Sequence, residues 1–270
     1  MKRGAAAAKI NLALVAGERR RDGKHELLTV YQRIGLFDRL EVRESERTQV
    51  TGFTGDTLVR RALDALTKND SRRLAAHVDK RIPVAAGLGG GSADAAAALI
   101  LGNELRSEAV PADRLAAIAR DLGSDVPFFL TQGPQLGAGD GSELRALDLP
   151  QDYWVLIVVP GEERKNSTAD VYARFDEGRG AEGFAERSAK MLAALERVRR
   201  PRDLAALPPN DLASSPLTEE LHALGAFRAD VTGAGPAVYG LFLHRAAAAA
   251  ARDRLRNRGR TWLTTPAWYV

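Results

Sequence analysis

Residues 83–94 read Pro83-Val84-Ala85-Ala86-Gly87-Leu88-Gly89-Gly90-Gly91-Ser92-Ala93-Asp94, with four glycines in the five positions 87–91. So many glycines lose much chain entropy on folding, and the loss is tolerated where the main chain must approach something closely. Directly behind the loop, Ala93 and the run Ala95-Ala96-Ala97-Ala98 favour helix. A loop that opens into a helix start presents free N–H groups and the positive end of the helix dipole, which together favour an anion. Ser92 stands as an N-cap or a phosphate contact. Two familiar versions of this device do not fit. The Walker pattern requires Lys and then Ser or Thr after the last glycine, and no such Lys follows. The dinucleotide fingerprint requires a glycine at the sixth position, and counting from Gly87 that residue is Ser92. A flexible linker is the plain alternative, and immediate entry into a helix argues against it.

The rest of the composition narrows what such an anion site serves. At 270 residues the chain suits one large domain or two modest ones. With 45% apolar and 27% charged residues it buries a core rather than staying disordered. No apolar run approaches the ~20 residues that span a bilayer. Met1-Lys2-Arg3 before an alanine run hints at a signal peptide, but Lys9 and Asn11 interrupt it. The absence of cysteine excludes disulfides, thiolate catalysis and cysteine metal sites, and suits a cytoplasmic protein. His25, His77, His222 and His244 lie too far apart in sequence to form a metal-ligand pattern. A net charge of +4 suits a small anionic substrate. With only 6% aromatic residues and no basic stripe, nucleic acid is not an expected partner.

Hydrophobic patterning predicts strands over residues 9–15, 27–36, 40–43, 49–53, 74–78, 153–159, 228–232 and 237–242. It predicts helices over 57–68, 92–105, 111–122, 169–175, 185–199, 217–224 and 245–256. Asp22-Gly23 signals a turn, and 133–142 is a glycine-rich connection. The second half is the more helical, and we expect an α+β chain with domains at 1–155 and 156–270.

At this point the motifs resemble those of the GHMP kinase superfamily, whose signature is Pro-x3-Gly-Leu-Gly-Gly-Gly-Ser followed by small residues. The likeness is greatest to the branch whose alcohol substrate is diphosphocytidyl methylerythritol, in non-mevalonate isoprenoid synthesis. Ala8-Lys9-Ile10-Asn11-Leu12 resembles its N-terminal strand, and Asp22-Gly23-Lys24-His25-Glu26-Leu27 its Asp-Gly-Tyr-His-x-Leu. Gly123-Ser124-Asp125-Val126-Pro127-Phe128-Phe129 resembles its Gly-Ala-Asp-Val-Pro-Phe-Phe. Asn210-Asp211-Leu212 and Thr232-Gly233-Ala234-Gly235 resemble its Asn-Asp-Leu-Glu and C-terminal glycine loop. Each motif is moderately specific; their order along nearly the whole chain is strongly so.

The resemblance implies a two-domain GHMP kinase fold with the active site in the inter-domain cleft. It implies transfer of the ATP γ-phosphate to the 2-hydroxyl of the cytidyl alcohol, with Mg²⁺ expected. By it Lys9 and Asp125 are the catalytic pair. Pro83, Val84, Ala85, Ala86, Gly87, Leu88, Gly89, Gly90, Gly91, Ser92 and Ala93 hold ATP, and Asn11, His25 and Tyr172 contact the cytidyl substrate, Tyr172 by stacking on cytosine. Magnesium ligands and oligomeric state are not readable. Without the motifs, a strand Lys is ordinarily a solvated residue and an Asp after a helix a turn former. Four positions depart from the pattern: Lys24 stands for a Tyr that stacks on the base, Thr57 for an Asn, residues 137–143 lack an Arg, and Ala234 replaces a Ser. Alternatives are a kinase of the same superfamily acting on homoserine or mevalonate, and a non-catalytic nucleotide-binding relative.

Overall fold

The computed structural model describes residues 1–53, 55, 58–68, 70–161 and 167–267. Its first two strands, β1 (Lys2–Arg19) and β2 (His25–Ser45), form a long antiparallel hairpin closed at Gly23, whose φ of 86° suits the turn. The separate strands expected at 27–36 and 40–43 are one strand, β2. The alanine-rich 5–8 segment, which on propensity alone favours helix, is strand because β2 pairs with it along its length.

The hairpin register shifts between Ala7 and Lys9 and again between Asn11 and Ala13. Such irregularities re-aim side chains. Ala6 packs into one core and Ala8 into another, so alternation is broken there. Ile10 and Leu12 reach the same core as Ala8, and so do Ala13 and Val15 beyond the second shift. Between the shifts Lys9 and Asn11, two residues apart, point away from that core into the cleft.

The remainder of the first half is β3 (Gln49–Thr51), α1 (Leu58–Leu66), β4 (Arg73–Asp79), α2 (Gly90–Asn103), α3 (Ala112–Leu122), α4 (Val126–Phe129), β5 (Gln135–Ala138) and β6 (Glu143–Ala146). The sheet runs β3-β4-β2-β5-β6, with β1 paired to β2. Helix α2 buries Ala95 to Leu99 without interruption, as a helix in the interior must. The second half comprises β7 (Trp154–Pro160), α5 (Thr168–Glu177), α6 (Phe184–Leu195), a 3₁₀ turn at Pro201–Ala206, α7 (Leu217–Ala223), β8 (Arg228–Val231), β9 (Val238–Phe242), α8 (Arg245–Arg254) and β10 (Gly259–Thr264). Its sheet is antiparallel, in the order β10-β7-β9-β8.

A core joins the halves: Ile10 and Leu12 of β1 pack with Val155 and Ile157 of β7 and with Tyr239 and Leu241 of β9. The expected α+β class with mixed sheets and helices therefore holds. The helices α4 and the strands β5, β6 and β10 have no counterpart in the expected elements. Each is four to six residues long, and such short pieces carry too little periodicity to detect. Among the described residues no helix is long and apolar enough to cross a membrane.

Candidate active site

Two loops from opposite halves meet back to back. At Gly87 φ is +85°, and a side chain there would place its Cβ 2.1 Å from the Thr232 carbonyl oxygen. At Gly235 a Cβ would lie 2.2 Å from Gly87 N. Neither position admits a side chain, so the glycines are there to let main chains touch. Ala237 N–H donates to Ala86 O at 3.1 Å, tying the loops together. Asn210 Nδ2 supports the second loop from below, donating to Val231 O and, at 2.7 Å, to Gly233 O.

Among the described residues, nothing in the protein accepts from the N–H groups of Gly87 through Ser92. Helix α2 begins at Gly90, preceded by Gly89 in the left-handed region and without a side-chain cap. Ser92 is thus inside the first turn rather than at the N-cap, and its hydroxyl is left for other contacts. The result is a cradle of donors at a helix start, suited to phosphate. Beneath it Lys80 joins two buried carboxylates, Asp38 on β2 and Asp94 just past the first turn of α2, each at 2.6 Å. Burial pulls the Lys80 ammonium pKa down, and the two acids more than offset this and raise it. Val84 and Ala85 are exposed, whereas Ala86, Leu88 and Ala93 are buried under the loop.

Lys9 stands beside this cradle, 3% exposed. Its main-chain N–H donates to Leu88 O at 3.0 Å, which fixes the strand to the loop. Its Nζ donates to Asn11 Oδ1 at 2.6 Å and lies 3.6 Å from Asp125 Oδ2. Asp125 occupies the N-cap position of α4 but makes no side-chain cap, so its carboxylate is free to face Lys9. The Tyr31 hydroxyl donates to its other oxygen, Oδ1, at 3.1 Å. Burial first, and then the Asp125 charge, push the Tyr31 hydroxyl pKa well above its ordinary value, so it stays a donor. Asn11 is buried and its amide is engaged within the protein: Oδ1 accepts from Lys9 and Thr232, and Nδ2 donates to Thr29 Oγ1 at 2.8 Å.

At the other end of the cleft His25 Nε2 lies 2.8 Å from Asp176 Oδ1. Its ring stacks on Tyr172, centroids 4.4 Å apart, with Phe175 edge-on. Tyr172, Phe175 and Asp176 all come from α5, whose start is fixed by a Ser167–Asp170 capping box. A cavity of about 320 Å³ opens between α5 and the second loop, lined in part by Val171, Arg174, Ser214, Ala234 and Gly235.

The sequence profile described as "GHMP kinases N terminal domain" matches residues 57–133, and that described as "GHMP kinases C terminal" matches 182–261. A 4-diphosphocytidyl-2-C-methyl-D-erythritol kinase of Mycolicibacterium gilvum is 38% identical over 84% of this chain and 78% of its own length. One of Geobacter sulfurreducens is 36% identical over 94% of both. The crystal structure of a 4-(cytidine 5'-diphospho)-2C-methyl-D-erythritol kinase superposes with a TM-score of 0.79 at 31% identity, over 98% of this chain and 99% of that one. The chain belongs to the 4-diphosphocytidyl-2-C-methyl-D-erythritol kinase family of GHMP kinases. A mevalonate kinase structure at 14% identity, TM-score 0.74, shares the fold.

In this kinase Lys9, Asp125, the 83–93 loop and the Thr232–Gly233–Ala234–Gly235 loop line one cleft formed by both halves, and Asn11, expected to contact the cytidyl substrate, instead lies beside Lys9 with its amide engaged by Lys9, Thr29 and Thr232. Tyr31 escaped the sequence reading, although a signal exists: Thr29, Tyr31 and Arg33 carry polar groups at alternate positions of the strand, with Gln32 the one further polar residue among 27–36. Asp140 and Asp176 escaped it too. Lys24 neither stacks nor points freely into solvent. Its Nζ donates to Ser124 Oγ at 3.0 Å and pairs with Asp140. Asp140 lies within the 137–143 stretch that departs from the family pattern, so two departures are partners. Thr57 lies outside the described residues.

Proposed function

We propose that this kinase transfers the γ-phosphoryl group of ATP to the 2-hydroxyl of 4-diphosphocytidyl-2-C-methyl-D-erythritol, with Lys9 and Asp125 as its catalytic pair. The observation that carries the reading is the Lys9–Asp125 pair set beside a run of N–H groups without acceptors among the described residues. Phosphoryl transfer needs positioning and charge neutralisation more than covalent chemistry. The N–H groups of Gly87 to Ser92 hold the phosphates, and the Lys9 ammonium faces the negative charge that builds on the transferring group. The alcohol oxygen bonds to the γ-phosphorus as the bond to the β-phosphate oxygen breaks and ADP leaves. Asp125 Oδ2 takes the hydroxyl proton, while Tyr31 holds Oδ1. Asn11 acts through Lys9, whose Nζ it orients.

His25, Tyr172 and Asp176 form the end that receives the cytidyl group, by stacking and by hydrogen bonding. A magnesium ion would be carried mainly by phosphate oxygens, since among the described residues no three acidic or histidine side chains converge to hold one. Asp125 is the carboxylate that could add a ligand oxygen, and the ion would neutralise phosphate charge. A division of the chain near residue 155 belongs to the same proposal: the second sheet is built from β7 onward, and a cut between 155 and 156 falls two residues inside that strand, so the division belongs just before Trp154. So does a cytoplasmic location, which a cysteine-free chain suits.

The test is ADP release with the cytidyl alcohol compared with homoserine and mevalonate. Turnover confined to the cytidyl alcohol is expected. Turnover on another alcohol alone moves the reading to a different branch, and ATP binding without turnover on any of them makes the protein a non-catalytic relative.

A further inference from the structure

Arg33 is among the largest side chains that the fold buries completely, at 1% exposure. Burying a cation is costly without a counter-charge, yet among the described residues no carboxylate pairs with it. Instead Nη2 donates to three main-chain carbonyls: Phe128 O at 3.4 Å, Phe129 O at 3.2 Å and Thr131 O at 2.9 Å. The guanidinium carbon lies 5.4 Å from the Phe128 ring centre and 5.9 Å from that of Phe129. Among the described residues Nη1 has no hydrogen-bond partner. Burial pulls the guanidinium pKa down to about 10, so it remains charged at neutral pH.

Phe128 and Phe129 end α4, the four-residue helix with Asp125 at its N-cap position, and Thr131 lies two residues past it. One turn of helix cannot hold itself, because too few hydrogen bonds offset the residues it fixes. Strand β2 holds it instead. Tyr31 and Arg33 stand two apart on one face of β2. Tyr31 grips the front of α4 through Asp125 Oδ1 and stacks on Phe128 at 4.9 Å, and Arg33 grips the back. The Phe128 ring lies against both.

We propose that Arg33 is a positioning residue: it clamps α4 from behind so that the Asp125 carboxylate faces Lys9 and the glycine loop. This rests on the reading of Asp125 as proton acceptor. A guanidinium is suited to the task because its plane packs on the Phe128 and Phe129 rings while Nη2 reaches the carbonyls, whereas an ammonium is a strongly hydrated point charge.

Arg33→Met keeps much of the length and removes the donors. Steady-state kinetics should show kcat reduced by ~10- to 100-fold, the scale expected when a reacting group is displaced by about 1 Å. KM for ATP should stay within about twofold, because the loop that holds ATP is not touched. Arg33→Lys should recover part of the lost kcat. Combined with Tyr31→Phe, the losses should be less than multiplicative, since both variants release the same helix. A folded Arg33→Met with wild-type kcat overturns the proposal, even if its melting temperature falls. If Arg33→Met does not fold, Arg33→Lys decides: a kcat lower by about threefold or more at unchanged KM for ATP supports the clamp, and wild-type kcat overturns it. Asp125→Asn measured alongside separates the two claims. If it is inactive while Arg33→Met is fully active, only the clamp falls. If Asp125→Asn turns over normally, the proton-acceptor reading falls and the clamp with it.

Discussion

The two ends of the cleft are built differently. At the phosphoryl end Lys9, Asn11, Thr29, Tyr31 and Thr232 are all buried and bonded to one another, and the donors are main chain. At the base end the partners are side chains reaching from turns and from the exposed face of α5: Asp176 is 45% exposed and Lys24 47%. The phosphoryl end keeps most of its family's motifs, with Ala234 as its departure, and the base end carries the two departures that are partners, Lys24 and the stretch that holds Asp140. The difference follows from the chemistry. Moving a phosphoryl group tolerates little displacement, so its groups are held by backbone and by buried networks. Recognising a base needs only a flat apolar face and a few polar contacts, which several sets of side chains supply.

That contrast is tested most strongly at Asp125. Asp125→Asn keeps the shape and the Tyr31 contact but cannot take a proton. We expect kcat to fall by ~10²–10⁴, the usual weight of a positioned base, with ATP binding by calorimetry little changed. Near-normal turnover in the folded variant would remove the basis of the contrast.

The next largest effect concerns the loops. Gly87→Ala forces a non-glycine residue into φ +85° and its Cβ against the Thr232 carbonyl, so the two loops must part. The left-handed strain alone costs about 1–2 kcal/mol, and with the clash a rise of ~100-fold in Kd for ATP is expected, at ~1.4 kcal/mol per tenfold. Gly90→Val is the gentler control, because its Cβ meets the side chains of Ile82 and Lys80 at 3.0–3.2 Å rather than main chain at 2.1 Å. Equal effects in the two variants would mean that contact between the loops is unimportant to the cradle.

How much of this was legible in the sequence divides along the same line. The glycine loop and its helix were readable because their residue types are local and unusual, whereas Lys9 and Asp125 stood out only through the resemblance of their motifs. Spacing alone makes Lys9 a solvated strand residue, and it is 3% exposed because two register shifts in the hairpin turn it inward. Such shifts leave no mark in a pattern of alternating residues. Tyr31 and Arg33 were legible only as polar interruptions of β2. What they hold, a single turn of helix some ninety residues on, is a tertiary fact. Lys24 could be seen to replace a Tyr, but its partner Asp140 lies 116 positions away, and no local signal joins them.

At the base end the expected effects are smaller. Tyr172→Ala removes the ring that stacks on His25 and lines the receiving face. Stacking of a base on an aromatic ring is worth ~1–3 kcal/mol. With a single tyrosine face in place of two, the lower half of that range applies, so KM for the cytidyl alcohol should rise about tenfold. Unchanged kcat at saturation would mark this as binding equal in ground and transition states. A fall in kcat with unchanged KM would instead tie α5 to the reacting groups and erase the distinction between the ends.

The smallest effect is expected at Lys24, where the chain departs from its family. Partial burial alone would raise the Asp140 carboxyl pKa, but hydrogen bonds from Lys24, Ser142 and Ser124 hold it well below the usual carboxylate range. A carboxyl depressed in the folded state adds stability above its unfolded pKa and loses that contribution as pH falls toward the folded one. Lys24→Met should therefore be less stable than wild type at pH 7, with the gap closing as the pH drops below about 4. Because Lys24 is 47% exposed, solvent screens the pair, and the gap should be under about 1 kcal/mol and shrink further with salt. The ammonium is already engaged by Asp140 and Ser124, so KM for the cytidyl alcohol should stay within about twofold. A severalfold, salt-sensitive rise in KM would show that Lys24 leaves Asp140 for the substrate diphosphate, and would make the departure a change in recognition rather than a clasp between two turns.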